Sequence, residues 1–102
     1  MANAPIVIPF SGAVTIRQAD DIAGRLKLAL ATADRIEIDC GGVTEADTAF
    51  IQLIIATRKS ALKAGKALVL SAPAKGDLLK TLAAIGIQPD GSQDFWFQGR
   101  EG

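Results

Sequence analysis

The segment GGVTEADTAFIQLII, from Gly41 to Ile55, changes character in its middle, where a polar turn gives way to a run of apolar residues. It follows RIEIDC at residues 35–40, in which apolar and charged residues alternate as they do in a strand covered on one side. The glycine pair ends that alternation, and the apolar residues beyond it recur at helical spacing. We therefore expect a strand, a turn and a helix that begins at Asp47 or Thr48.

Upstream of this segment the chain predicts one or two short strands and then a helix. PIVIPF at residues 5–10 and SGAVTI at residues 11–16 are β-rich, and a Ser-Gly turn signal separates them. From Thr15 or Arg17 apolar residues recur every three to four positions, which indicates an amphipathic helix that ends near residues 32–34, with Thr15 as its N-cap. The apolar stripe of this helix comprises Ile16, Ala19, Ile22, Ala23, Leu26, Ala29 and Leu30.

Downstream, the second helix is expected to end at Gly65, where a C-cap glycine belongs. Its core-facing stripe would comprise Phe50, Ile51, Ile54, Ile55, Arg58 and Leu62. The run KALVLSA at residues 66–72 is mostly apolar, which is typical of a strand buried on both faces and hence of a central strand. After Pro73 we expect a third helix that stops at Gly86, and FWFQ at residues 95–98 as a last edge strand. The inward residues of the third helix would be Leu78, Leu79, Leu82 and Ile85.

The order of strands and helices predicts a single domain. A chain of 102 residues can bury one modest core, and alternating strands and helices call for a partly parallel sheet with helices packed against it. The fold class is α/β, or α+β if the helices share one face. We expect residues 1–102 to form one domain, with its core at about residues 6–87 and a short tail at residues 88–102.

Composition excludes several classes of function. Eleven basic and eleven acidic residues give no net charge, so no field attracts nucleic acid. The apolar runs are far shorter than the roughly 20 residues that span a bilayer, and we expect a cytoplasmic protein. Without histidine, His-based catalysis is excluded. We expect no enzymatic activity, cofactor or metal, and the single Cys40 is interpreted as a packing residue rather than a redox group.

Asp47 and Thr48 have two interpretations. Both residue types are preferred N-caps, and a cap needs no function beyond about 1 kcal/mol of stability. Alternatively, Thr48 is a regulated hydroxyl, because a phosphate added there would bring between one and two negative charges to a surface where a partner docks. A Mg²⁺ site formed by Asp39, Glu45 and Asp47 is a weaker interpretation, since their spacing matches no ligand motif. Gly41 and Gly42 are interpreted as turn residues.

Three consecutive aromatic residues, Phe95, Trp96 and Phe97, stand in the tail. In a strand they cannot all face one side, so at least one would be exposed or buried in a homo-oligomer contact. Alternatively, these aromatic residues pack back onto the sheet and close the core of the same chain.

Three stretches together resemble a STAS domain, the module of bacterial anti-sigma factor antagonists. They are PFSGAVTIRQADDIAGRL, RIEIDCGGVTEADTAFIQLI and GKALVLSAPAKGDLLKTLAAIGI, and they cover about residues 6–87. The most specific motif is an Asp-Ser/Thr pair that opens the helix after a strand, here Asp47-Thr48. The resemblance implies a small mixed sheet of about four to five strands with helices mainly on one face.

The resemblance also implies a regulatory protein-interaction module that signals by binding. In such domains a serine kinase phosphorylates the residue that follows the Asp, which corresponds to Thr48 here. The implied partner is a serine kinase or anti-sigma factor, or alternatively an ATPase subunit of a phospholipid (ABC-type) transport complex. Phe50 and Gln52 replace two glycines of the anti-sigma antagonists, which favours the transport kind. The implied partner-binding residues are Asp47, Thr48, Ala49, Phe50 and Gln52.

Overall fold

A computed structural model describes residues 5–87 and 95–98. Strand β1 (Ile6–Val14) leads through a 3₁₀ turn (Ile16–Gln18) into helix α1 (Ala19–Thr32). Strand β2 (Arg35–Ala46) is followed by helix α2 (Thr48–Lys63) and strand β3 (Ala67–Leu70). Helix α3 (Gly76–Ala84) and the short helix α4 (Phe95–Gln98) complete the described elements.

The described strands form one parallel sheet in the order β1-β2-β3. Ile36 of β2 pairs with Ile6 on one side and with Leu68 on the other. The expectation that residues 66–72 form the central strand is therefore wrong. In the described part of the chain β2 is central, and β3 lies at an edge with Leu68 and Leu70 buried while Ala67 and Val69 are only half-buried.

The expected four to five strands and mixed sheet also need correction, because the described residues contain three strands, all parallel. The two β-rich stretches contribute to one continuous strand, Ile6–Val14, and not to two. Gly12 lies within it at a φ of 68°, and the pairing with β2 shifts register between Gly12 and Ala13. The Ser-Gly signal thus marks an irregularity in a strand rather than a hairpin.

The glycine pair of the opening segment does not end β2. Ser11 pairs with Gly42 and Val14 with Ala46, so β2 continues to the residue before Asp47. A Cβ atom added to Gly42 would lie 2.9 Å from the Cβ of Ser11, so the two strands approach each other too closely there for a side chain. The interpretation of these glycines as turn residues was wrong. Glycine has no side chain, and this allows close pairing of two strands as well as a turn.

One hydrophobic core joins the sheet to the helices. Alternating residues of the strands, among them Ile8, Ile36 and Leu70, belong to the same buried cluster as residues of every α-helix. Between them lie residues of the opposite face, of which Val7 is exposed. The helical members of the cluster are Ile22, Leu26, Ala29, Phe50, Ile51, Ile54, Ala61, Leu78, Leu82 and Trp96.

The helix ends largely follow the expected signals. Thr15 caps the 3₁₀ turn in a reciprocal arrangement, in which the Gln18 Oε1 accepts a 2.9 Å hydrogen bond from the Thr15 N–H. Asp47 is the N-cap of α2, and Gly65 follows its C-cap with a φ of 72°. Gly86 plays the same part after α3 with a φ of 89°.

Some residues expected in the core are exposed. Ile16 and Leu62 belong to the expected stripes but are 67% and 65% exposed. On α3, Leu78 and Leu82 are buried, whereas Leu79 and Ile85 are exposed. The two buried leucines of α3 are four positions apart and therefore share one side of that helix.

The aromatic tail is helical and not an edge strand. The indole of Trp96 is buried, its backbone carbonyl accepts a 2.8 Å hydrogen bond from the Ala74 N–H, and Phe95 and Phe97 are half-buried. In a helix successive side chains lie about 100° apart. Trp96 can therefore point into the core while Phe95 and Phe97 lie half-buried on either side of it.

Truncating the inward leucine of α3 is expected to destabilise the domain far more than truncating its outward neighbour. Leu82 is 0% exposed and Leu79 is 41% exposed. Leu82→Ala should lower the free energy of unfolding by about 2–5 kcal/mol, and Leu79→Ala by less than about 1 kcal/mol. Guanidinium titrations followed by the fluorescence of Trp96, the sole tryptophan, measure both. Equal losses would mean that α3 packs in another orientation.

Candidate functional site

The carboxylate of Asp47 joins two elements at the end of β2. Its Oδ1 accepts a 3.2 Å hydrogen bond from the Phe50 N–H and so caps α2. Its Oδ2 accepts a 2.9 Å hydrogen bond from the Ile16 N–H, at the start of the 3₁₀ turn. One side chain thus fixes the start of α2 against the segment that leads into α1.

The residue before Asp47 is held from the other side. The Ala46 N–H donates a 2.8 Å hydrogen bond to the Oδ2 of Asp77, and the Thr81 hydroxyl donates a 3.0 Å hydrogen bond to the Ala46 carbonyl. Both partners lie on α3. The junction between β2 and α2 is therefore tied to α3 as well as to the 3₁₀ turn, which makes it a rigid platform.

Thr48 stands on this platform as the first residue of α2. Its side chain is exposed, and within residues 5–87 and 95–98 the structure gives its hydroxyl no hydrogen-bond partner. Asp47 alone supplies the side-chain cap of α2. The capping interpretation therefore accounts for Asp47 and leaves the hydroxyl of Thr48 without a structural task.

The other residues of the expected partner-binding set divide between surface and core. Ala49 is half-buried and Gln52 is exposed. Phe50 is buried and packs edge-on against Phe10, with ring centroids 5.7 Å apart. Its side chain therefore points away from the surface, and only Gln52 of the two residues that replace glycines stands where a partner could meet it.

The sequence pattern did not predict that Ile16 is a surface residue. Its N–H is bound by Asp47, which places it beside the start of α2, yet its side chain is 67% exposed. The helical spacing assigned it to the core stripe of α1. Thr15 was the signal in the sequence that Ile16 could be exposed. A cap at Thr15 places Ile16 in the first turn after the cap, and that turn need not face the core. We call Ile16, Thr48, Ala49 and Gln52 the Thr48 surface.

The carboxylates near this site do not assemble into a metal centre. Among the described residues no group of three or more Asp, Glu, Cys or His side chains could hold a metal ion. The Oδ1 of Asp39 instead accepts a 2.9 Å hydrogen bond from the Gly41 N–H, and Asp47 binds backbone N–H groups. Local hydrogen bonds thus occupy Asp39 and Asp47, two of the three carboxylates considered as ligands.

Cys40 lies half-buried on β2. Burial, with a smaller contribution from the nearby carboxylate of Asp39, raises the pKa of its thiol from 9.0 to about 12. The neutral thiol is a poor nucleophile and a poor metal ligand. Packing is therefore the role that its surroundings favour.

The family and the fold can now be stated. The chain belongs to the STAS domain family, because the family model described as "Mlab, STAS domain" matches residues 1–89. A similar solved structure is that of a sulfate transporter family protein from Wolinella succinogenes, with 18% sequence identity and a TM-score of 0.68 over 95% of this chain and 79% of that one. No curated protein matches the sequence. In the part of the chain that the structure describes, no helix has the length and apolar character to cross a membrane.

Substitutions of Asp47 should destabilise the domain to an extent that depends on how many hydrogen bonds they remove. Asp47→Ala loses both hydrogen bonds and should lower the free energy of unfolding by about 1–2 kcal/mol. Asp47→Asn retains one oxygen acceptor and should lose about half as much. Urea titrations measure these values, with Thr48→Ala as the control, since its hydroxyl makes no hydrogen bond to the described residues. A loss for Thr48→Ala as large as for Asp47→Ala would contradict the division of roles between the two residues.

Cys40 should resist alkylation in the folded protein. Near pH 8, a pKa of about 12 instead of 9.0 lowers the thiolate fraction, and hence the rate with iodoacetamide, roughly 1000-fold relative to the unfolded chain. Because the folded pKa is the higher one, the associated stability is present below pH 9 and is lost as the pH rises towards 12. Mass spectrometry with and without denaturant measures the two rates. Equal rates would show that the thiol is accessible.

Proposed function

We propose that this STAS domain is a non-enzymatic protein-interaction module whose partner docks on the Thr48 surface. The observation that carries the proposal is the exposed hydroxyl of Thr48, which the fold does not use and which stands on a platform that the fold holds rigidly. A rigid, preorganised contact loses little conformational entropy on binding. Ile16, whose N–H is bound by Asp47, adds an exposed apolar side chain, and Gln52, four residues after Thr48 on α2, adds an exposed polar one.

The partner that we propose is an ATPase subunit of a membrane transport complex, with the module on the cytoplasmic side. The matching family model carries the description "Mlab, STAS domain", and the similar solved structure belongs to the sulfate transporter family. The first description names a STAS domain, and the second names transport. Gln52, which stands on the surface where anti-sigma antagonists have a glycine, supports the same choice. In this role Thr48 makes a contact and stays unmodified.

A kinase-controlled switch at Thr48, in the manner of anti-sigma factor antagonists, is the second candidate. The specific observation in its favour is that the hydroxyl is both exposed and free of hydrogen bonds to the described residues. A phosphate on the first residue of α2 would be stabilised by the helix dipole, while Asp47 and the exposed Glu45 would repel it. Phosphorylation would thus change the charge of the docking surface more than the stability of the fold.

Affinity purification from the source cells, with quantitative mass spectrometry, tests the proposal. We expect the wild-type protein to recover an ATPase subunit and to carry no phosphate on Thr48. Thr48→Glu should reduce that recovery about tenfold, because a larger, charged side chain replaces the hydroxyl that the partner contacts. The matched control is Thr32→Ala, an exposed threonine near the end of α1.

The two candidates predict different results in the same experiment. Phosphate on Thr48, together with recovery of a kinase or an anti-sigma factor, would support the switch and exclude the transport role. If Thr48→Ala and Thr48→Glu both recover every partner as the wild type does, the Thr48 surface is not the docking site.

A further inference from the structure

A second surface of the molecule has the composition of a docking groove. It is a depression of about 260 Å³ beside the last turns of α2, lined by Ile55, Arg58, Lys59, Leu62, Phe95 and Trp96. We call it the Leu62 groove. From Thr48 to Leu62 the helix rises about 21 Å, so the groove and the Thr48 surface lie at opposite ends of α2.

The walls of the groove are preformed. Trp96 is buried and its carbonyl accepts the hydrogen bond from the Ala74 N–H. Phe95 packs edge-on against Trp96, with centroids 5.0 Å apart, and the guanidinium of Arg58 lies 5.1 Å from the centre of the Phe95 ring. The cation–π contact fixes the arginine head at the rim. A partner would therefore meet an ordered surface.

Leu62 gives the groove an exposed apolar residue that the fold does not require. Its side chain is 65% exposed although it lies directly after the buried Ala61 and within a helix whose inner side is packed. With Ile55, one helical repeat of seven residues earlier, it forms an apolar strip along α2. Such a strip beside an aromatic wall fits the side chains of a helix.

The charge around the groove selects the chemistry of the occupant. Between Thr48 and Lys63 helix α2 carries Arg58, Lys59 and Lys63 and no acidic residue, although the whole chain has no net charge. No acidic residue is among those that line the groove in the described part of the chain. The local field therefore favours a negatively charged partner.

The volume of the groove favours a peptide over a small-molecule ligand as its occupant. Small-molecule sites commonly measure roughly 300–1,000 Å³ and enclose most of the ligand. At about 260 Å³ and open along one side, this groove holds a few side chains rather than a whole ligand. We propose that the Leu62 groove binds an acidic amphipathic helix of a partner protein, whose apolar side chains enter the groove and whose carboxylates meet Arg58 and Lys59.

A yeast-displayed library of random peptides about 15 residues long tests this, with the full chain as bait. We expect the selected peptides to combine Asp and Glu with Leu, Ile or Phe at helical spacing. Leu62→Asn and Arg58→Glu should each weaken the binding of selected peptides about tenfold or more. The matched controls are Leu28→Asn and Lys27→Glu on α1, since Leu28 is 67% exposed and Lys27 is exposed. They should change the affinity by less than about twofold.

The remaining outcomes overturn the proposal. A selection without peptides that depend on Leu62, or one that yields basic peptides, excludes an acidic helix. Sedimentation that shows a dimer lost in Leu62→Asn would assign the groove to a second copy, and Leu62-dependent pelleting with phosphatidylglycerol vesicles would assign it to a lipid surface. Trp96 fluorescence during unfolding checks that each variant folds. Thr48→Glu should leave peptide binding to the Leu62 groove unchanged. A negative result for the groove would therefore not count against the proposed function of the Thr48 surface.

Discussion

The two oxygens of the Asp47 carboxylate accept hydrogen bonds from backbone groups that lie 34 residues apart, at Ile16 and Phe50. Neither N–H group has a partner within regular secondary structure, because each lies in the first turn of a helix. A single acceptor group thus satisfies two donors and sets the angle at which β2 enters α2. Thr81 and Asp77 hold the preceding residue from α3, so four elements meet at this one junction: β2, α2, the 3₁₀ turn and α3. The rigidity of the Thr48 surface depends on this set of bonds.

Local signals were sufficient for the ends of α2 and α3, but not for α4, which was expected as a strand, and not for the sheet. The start of α2 at Thr48, its end before Gly65 and the end of α3 before Gly86 follow from caps and glycines, which act within a few residues. The order of strands depends on pairing between distant residues, which periodicity does not report. The apolar run at residues 66–72 was assigned to the centre of the sheet, yet among the described strands β2 lies there, paired with β1 on one side and with β3 on the other.

The candidate site shows the same division. The position of Asp47 and Thr48 at the start of a helix could be predicted, since both residue types are common there. Their separate roles could not, because the choice between them depends on the Ile16 N–H, which folding brings from a distant part of the chain. The same holds for Phe50, whose place in the apolar run did not show that it faces Phe10 across the core. The family resemblance pointed to this surface, and the contacts show which of its residues are exposed and which are buried in the core.

The parallel pairing of the sheet has a consequence for how the chain folds. Ile6 pairs with Ile36, and Ile36 with Leu68, so each strand pair closes a loop of about 30 residues and no described pair is a hairpin. The chain loses loop-closure entropy before such non-local contacts form and stabilise it. Folding is therefore slower than for a helical bundle of the same size. During synthesis β1, α1 and β2 can associate before β3 leaves the ribosome, but the edge of β2 stays unpaired until then. That transient edge is the point at which the nascent chain is most open to pairing with another molecule.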